Sequence, residues 1–208
     1  LLAMGFGGWS KTDYGAFVRA SAQFGEKNYL AIAQEVGKPD EEVRRYSQAF
    51  WSVGSQRMPT DVWMKAMTKV DAGKKKLEAV QGMIEATRKK VERFANPWET
   101  MTFKFKSSRG PKEFTPQSNR YLLTFVQMYG YGNWDRIHQA VRACHCFKFD
   151  YWLRSRTREE VKRQCERLMK EAEKENQELV RRSADEEKQR QKEEAERVAT
   201  EEKERIES

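Results

Sequence analysis

The stretch Thr115-Pro-Gln-Ser-Asn-Arg-Tyr121-Leu-Leu-Thr-Phe125-Val-Gln-Met-Tyr-Gly130-Tyr-Gly-Asn-Trp134 decides the fold. Thr115-Pro116 opens a helix: a hydroxyl side chain can cap it, and proline suits the first turn, where its missing N–H is not needed. Tyr121, Leu122, Phe125 and Val126 then recur at helical spacing, and Gly130 stops the helix. Asn133 is expected to cap a second helix carrying Trp134, Ile137 and Val141. Thr157 and Glu160 form a capping-box pattern that opens a third helix, with Val161, Cys165 and Leu168 on one side.

The same layout stands near the start of the chain. Ser10 followed by Asp13 is a capping box for a helix through Phe17, Val18 and Ala20, stopping at Gly25. A second helix runs from about Lys27 to Val36 and stops at Gly37. Pro39 suits the first position of a third, which carries Val43, Tyr46 and Phe50 at i, i+3 and i+7. Trp9 and Tyr29 are separated by 19 residues, as are Phe114 and Trp134, while Tyr29 and Phe50 are separated by 20. This is an internal repeat of two three-helix units. Nothing in the main body reads as a strand, so the fold class is all-α.

Between the repeats, Leu77, Val80, Ile84, Thr87, Val91 and Phe94 make a 3-4 stripe. It predicts a spacer helix of about 20 residues, ~30 Å long. Asn96-Pro97 ends it, and Ser107-Ser-Arg-Gly-Pro111 reads as a loop. Beyond residue 172 apolar residues thin to Leu179, Val180, Val198 and Ile206, with no sustained heptad. That pattern fits a solvated single helix or a fraying tail better than a coiled coil. The domains expected are residues 1–8 as a remnant of a preceding segment, a first three-helix domain at 9–58, a spacer at 59–110, a second domain at 111–176 and a charged tail at 177–208.

The 208 residues carry 40 Lys+Arg against 32 Asp+Glu, for a formal net charge of +8. With 35% charged and 38% hydrophobic residues, part of the chain is expected to stay outside any core. No apolar run approaches the roughly 18 residues of a membrane helix, and the first ten residues are too short and Gly-rich for a signal peptide. The charge is uneven: net +1 over residues 9–58, +6 over 59–110, +5 over 111–172 and −4 over 173–208. A basic excess in mid-chain suits a polyanion-binding surface, and equally a merely soluble basic protein.

Placing the third helix of the second repeat at 100° per residue puts Val161, Cys165, Leu168 and Ala172 in one roughly 60° arc. Arg163, Arg167 and Lys170 fall in another, almost diametrically opposite. Arg156 joins them if the helix begins early enough, and Arg158 and Lys162 lie on a flank. Such a row can lie against phosphates and release counterions. The plainer reading is a solvated face, because Glu159, Glu160, Glu166 and Glu171 edge it. In the first repeat the corresponding face carries Glu41, Arg44, Arg45 and Gln48, a mixture without a basic row.

The two aromatic-anchored repeats resemble Myb/SANT domains. The second departs from a plain Myb pattern by an insertion, Ala143 to Thr157, in which Phe147-Lys-Phe-Asp-Tyr-Trp-Leu-Arg-Ser-Arg-Thr157 resembles the SLIDE domain of ISWI-type chromatin remodelling ATPases. Tyr129-Gly-Tyr-Gly-Asn-Trp134 and Arg163-Gln-Cys-Glu-Arg-Leu168 match as well. Trp9-Ser-Lys-Thr-Asp-Tyr-Gly-Ala-Phe17, Phe24-Gly25 and Ile32-Ala33 are similar to the SANT domain that precedes SLIDE there. Asn96-Pro-Trp98 sits where that family's spacer ends. The likeness covers about residues 5–176; it departs in Met58-Pro-Thr-Asp-Val-Trp63, in Lys74-Lys75-Lys76 and in Cys144-His145-Cys146, as a divergent member would. Of the HAND domain that precedes SANT in the family, at most residues 1–8 are expected here.

The resemblance implies a DNA-binding module that holds linker DNA and nucleosomes, largely through the phosphate backbone, to guide nucleosome sliding and spacing in the nucleus. It adds the spacer residues Lys74, Lys75, Lys76, Lys89 and Lys90 to Arg156, Arg158, Lys162, Arg163, Arg167 and Lys170 as candidate DNA contacts. Histone tails and accessory remodeller subunits are further expected partners. Alternatives are a histone-tail or accessory-subunit interaction module, or a sequence-specific Myb-type factor. The chain is not expected to be an enzyme, because it has no GxxxxGK[ST] loop.

No cofactor or metal is expected. Cys144-His145-Cys146 with the distant Cys165 lacks the usual zinc spacing, and two of three cysteines so close together give no disulfide framework, which points to a reducing compartment. Neither His138 nor His145 has a convergent Ser or Asp, so a hydrolytic site has no support. The aromatic residues at repeat spacing are expected in the core, and Phe149 and Trp152 are expected to pack the insertion down onto the second repeat.

Overall fold

The computed structural model describes residues 6–104 and 114–207, with side chains as far as residue 197. The expected loop Ser107–Pro111 and most of the 1–8 remnant lie outside the described residues. The chain is all-α: α1 Lys11–Phe24, α2 Tyr29–Val36, α3 Asp40–Arg57, α4 Thr60–Glu92, α5 Pro97–Thr100, α6 Pro116–Tyr129, α7 Trp134–Ala143, α8 Tyr151–Arg154 and α9 Arg158–Glu207. A 3₁₀ turn, His145–Phe147, lies between α7 and α8. The chain divides into two compact units between Gln81 and Gly82, inside α4.

The first unit forms where its punctuation says it should. Ser10 and Asp13 close a reciprocal capping box at α1, with Ser10 N donating to the Asp13 carboxylate at 2.9 Å and Asp13 N to Ser10 Oγ at 3.1 Å. Gly25 and Gly37 end α1 and α2 with φ of +86° and +74°, a region that side chains with a Cβ disfavour. Trp9 stacks on Tyr46 with centroids 3.5 Å apart, and Phe17 and Phe50 are fully buried beside them. Burial holds the Tyr46 phenol up to about 12. Even Phe6 joins this cluster, edge-on to Tyr46 at 5.2 Å.

The spacer differs from its sequence reading. α4 has 33 residues, ~50 Å at 1.5 Å per residue, because it starts directly after Pro59. Its first half belongs to the first unit: Trp63 packs 5.2 Å from Phe50, and Ala66 and Val70 lie in that core. Over its second half the buried side chains are Met83, Ala86, Thr87, Lys90 and Val91, an arc turned about 60° from the expected stripe. Leu77 and Ile84, expected inside, are each 37% exposed.

In the second unit, Thr115 caps α6 with Pro116 in its first turn, and Gly130 ends it at φ +83°. Asn133 precedes α7 but does not cap it as expected; its amide donates to the Tyr129 carbonyl at 2.6 Å, bracing the turn instead. Leu122, Leu123, Ile137 and Leu168 are fully buried, and Gln164 donates to Asn119 at 2.7 Å inside the core. Trp9 and Phe50 are core residues as expected, whereas Tyr29, Phe114 and Trp134 are half-buried. Among the described residues no helix is long and apolar enough to cross a membrane.

Candidate nucleic-acid interface

The start of α9 is fixed by Thr157 and Glu160. Thr157 N donates to the Glu160 carboxylate at 2.8 Å and Glu160 N to Thr157 Oγ1 at 3.2 Å, so two otherwise orphaned donors are satisfied. The backbone donor of Thr157 is the main reason the Glu160 carboxyl lies below its ordinary pKa, with Arg156 adding to it. From this start, Val161, Cys165, Leu168 and Ala172 all point into the core, as placed from sequence. Gln164 and Met169 are buried too and widen the buried arc. Burial drives the Cys165 thiol far above its ordinary pKa and keeps it protonated.

Arg163, Arg167 and Lys170 are exposed on the opposite face. The Arg163 guanidinium Nε leans back toward the Glu159 carbonyl at 3.4 Å. At i, i+4 and i+7 of one helix these cations form a row about 10 Å long, with Lys162 half-buried at its side.

The two arginines before this row have other partners. Arg156 lies 4.6 Å over the Trp152 ring and donates to Glu160 at 2.8 Å. Arg158 pairs with Asp135 of α7 at 3.2 Å and with Glu159 at 3.0 Å. Both are therefore drawn into bonds within the second unit, and a phosphate would have to compete with carboxylates for them.

The spacer lysines separate into two kinds. Lys74, Lys75 and Lys76 are exposed in the first unit. In the second unit Lys89 is exposed and 3.6 Å from Glu85, and Arg88 is clamped between Glu85 and Glu92. Lys90 does not belong on a DNA-facing surface. It is 1% exposed, forms an ion pair with Glu175 of α9, and lies 4.6 Å from the Phe103 ring. Burial lowers its pKa, and the Glu175 partner works against that shift. Glu175 also accepts from Lys104 N at 3.2 Å, so this pair ties α4, α9 and the chain after α5 together.

The insertion is anchored by residues other than those expected. Phe147 and Leu153 are buried, at 3% and 1% exposure. Trp152 is half-buried and meets Phe114 edge-on at 5.2 Å, as a packing residue should. Phe149 is 76% exposed and packs nothing down; Lys148 lies over its ring at 5.5 Å. Reading one face of α9 alone passed over Lys148 and Arg154 in the insertion and Arg136 and Arg142 on α7, of which all but the half-buried Arg154 are exposed. Their signal was the plain excess of Lys and Arg over residues 111–172.

Cys146 is exposed and 3.0 Å from the Tyr121 hydroxyl, a bond that, with burial, holds that phenol up at about 12. Among the described residues no group of three or more His, Cys, Asp or Glu is placed to hold a metal ion.

Comparison with known proteins bears on this unit directly. The SLIDE family model matches residues 64–176. The chain is 34% identical over 180 residues to the ISWI chromatin-remodeling complex ATPase CHR17 of Arabidopsis thaliana, covering 86% of this chain and 16% of that protein. It is 30% identical over 186 residues to the human SWI/SNF-related matrix-associated actin-dependent regulator of chromatin subfamily A member 1, covering 88% of this chain and 18% of that protein. To the ISWI chromatin-remodeling complex ATPase ISW1 of Saccharomyces cerevisiae it is 29% identical over 82% of this chain and 15% of that protein. The chain thus spans about one sixth of the length of these relatives.

Proposed function

This chain belongs to the SLIDE family, in its ISWI-type form, and from that premise we propose that it is the DNA-binding module of an ISWI-like nucleosome remodeller. It holds linker DNA beside the nucleosome, largely by the phosphate backbone, and so guides sliding and spacing in the nucleus. In this reading residues 9–58 are the SANT domain, 59–110 the spacer, 111–176 the SLIDE domain and 177–208 a charged tail. The module supplies no chemistry of its own; a motor elsewhere in the remodeller hydrolyses ATP. Its contribution is an affinity term, keeping that motor engaged longer where flanking DNA is available.

The observation that carries the reading is the row Arg163, Arg167 and Lys170, exposed on the face of α9 opposite its core. Within the same unit Lys162, Arg158, Arg156 and Lys89 add to its positive charge, and in the first unit Lys74, Lys75 and Lys76 are further candidate contacts. Backbone recognition is favoured because the row itself offers Arg and Lys and no Asn or Gln: Gln164, the amide within its span, is buried against Asn119. That also argues against a sequence-specific Myb-type reader. Histone tails and accessory subunits remain partners of the same module, with the mixed face of α3 as the surface free for them.

The test is fluorescence anisotropy on a roughly 30-base-pair duplex across a salt series. About four to six phosphate contacts give a log–log slope of roughly −4 to −5, insensitive to base sequence. Arg163→Glu/Arg167→Glu should flatten that slope by about 2. A flat salt response in the wild-type protein, or a double variant that binds like it, would refute the assignment.

A further inference from the structure

A second candidate site lies within the first unit. Gly73 lets α4 come against α1 so closely that a Cβ there would stand 2.0 Å from the Ala22 carbonyl oxygen. Beside this contact is a groove of about 600 Å³, bounded by one face of α4, by the end of α1 and by the turn that follows it. Val70, Lys74 and Leu77 stand at i, i+4 and i+7 on that face; Phe24 faces them from α1. The floor is apolar, and Leu77 is 37% exposed within it.

One polar atom breaks that floor. Ser21 is 2% exposed, lines the groove, and its hydroxyl has no hydrogen-bond partner among the described residues. A buried, unbonded hydroxyl is costly, and the few that exist in a folded protein call for an explanation. A ligand carbonyl entering the groove would satisfy it. At the rim stand Lys27 and Lys74, both exposed and without an ion pair among the described residues, against the single carboxylate of Glu26. Asp71 and Glu78 flank Lys74 along α4, but of the charged side chains that line the groove two are lysines and one is a carboxylate.

We infer that this groove docks an acidic segment of a partner protein, which inserts one or two large apolar side chains beside Val70 and Leu77 and lays its carboxylates on Lys27 and Lys74. A nucleic-acid backbone offers nothing apolar to fill the floor, and a basic tail would meet like charge at the rim. A peptide with an apolar anchor, a backbone carbonyl for Ser21 and acidic flanks meets all three features together.

The experiment uses the full chain and a fluorescein-labelled peptide of about twelve residues, with Leu-Phe at its centre and Asp and Glu on both sides. Binding is followed by anisotropy, and its site by backbone amide shifts. The inference expects saturable binding, shifts centred on residues 21–28 and 70–77, and at least about tenfold weaker binding when the central pair is Ser-Ser. Leu77→Glu and Lys27→Glu should each weaken the peptide about tenfold while affinity for the 30-base-pair duplex stays within about twofold; if Leu77→Glu alters the circular dichroism spectrum, Leu77→Ser takes its place.

Ser21→Ala gives a signature that a merely structural serine would not. It should raise the melting temperature by about 2 °C, because it removes an unbonded hydroxyl, and weaken the peptide about threefold. Absence of saturable binding, shifts confined to α9, or a Ser21→Ala protein that binds the peptide like wild type would overturn the assignment. Because duplex affinity is read in parallel, failure here leaves the linker-DNA reading standing, and failure of that reading leaves this one.

Discussion

The third helices of the two units, α3 and α9, are built alike and present different surfaces. Each buries an i, i+3/i+4, i+7 set: Val43, Tyr46 and Phe50 in one, Val161, Cys165 and Leu168 in the other. Opposite those cores, α3 shows Glu41, Arg44, Arg45 and Gln48, all exposed, and Arg44 is drawn over the Tyr29 ring at 5.1 Å. α9 shows Arg163, Arg167 and Lys170. The core positions set the fold, and the fold tolerates either surface; in the function proposed above, the charge on the outward face is what separates a polyanion-binding helix from one free for other partners.

The sharpest way to break that contrast is to reverse charge on both helices. Arg163→Glu/Arg167→Glu should cost about 30-fold or more in duplex affinity at low salt, whereas Arg44→Glu/Arg45→Glu should stay within about threefold. Equal losses in the two variants would mean that the outward faces do not differ in function.

The next contrast lies within α4, between adjacent lysines. Lys90→Met leaves Glu175 buried without its partner and should destabilise the protein by about 3 kcal/mol, read by urea denaturation. Lys89→Met, at an exposed position, should change stability by less than about 0.5 kcal/mol. The double variant Lys90→Met/Glu175→Leu should recover much of the loss.

Two glycines of the same helix sharpen the comparison further. Gly73→Ala drives a methyl into the Ala22 backbone and should destabilise by about 1–3 kcal/mol. Gly82→Ala meets only the tip of the Glu173 side chain, at 3.0 Å, and should stabilise by about 0.5–1 kcal/mol through helix propensity. Thermal melts of the two single variants decide it.

The smallest effect is shared by the units. Asp13 and Glu160 close the capping boxes of α1 and α9, and the main cause of each lowered pKa is a backbone N–H donated by the cap residue. A carboxyl lowered in the folded state contributes stability above its unfolded pKa, and that contribution fades as pH falls through the folded one. Carbon-detected NMR titration should find Asp13 below 3.8 and Glu160 below 4.5. Values at or above those would dissolve the parallel between the two helix starts.

The elements whose signals are local were legible in the sequence. Ser10 with Asp13, Thr157 with Glu160, and Gly25 and Gly130 act within four residues of themselves, and each begins or ends a helix where expected. The buried face of α9 followed from periodicity alone. What escaped depends on partners far along the chain. Lys90 reads as one of a basic run, and only Glu175, 85 residues away, makes its burial affordable. The extra length of α4 escaped because its first half carries the core of the preceding unit, so its apolar face changes direction midway. In the insertion, Phe147 and Phe149 are alike in sequence, and a turn of the backbone decides which of them goes inside. Arg156 and Arg158 sat beside the row by helical geometry, but Trp152, Glu160 and Asp135 had prior hold of them.

The last helix has a mechanical consequence. α9 continues unbroken to Glu207, and from residue 177 to 197 every side chain is exposed. Pairs one turn apart, Arg181 with Asp185 and Lys192 with Glu196, brace it in place of a core. Whatever grips such a shaft at its far turns is indexed to its base by both distance and angle. Removing one residue from the exposed stretch would draw the grip in by about 1.5 Å and turn it by about 100°, while removing seven would shorten it by about 10 Å and restore the original facing to within about 20°. The extension is a phased ruler, in which length and rotation cannot be changed independently.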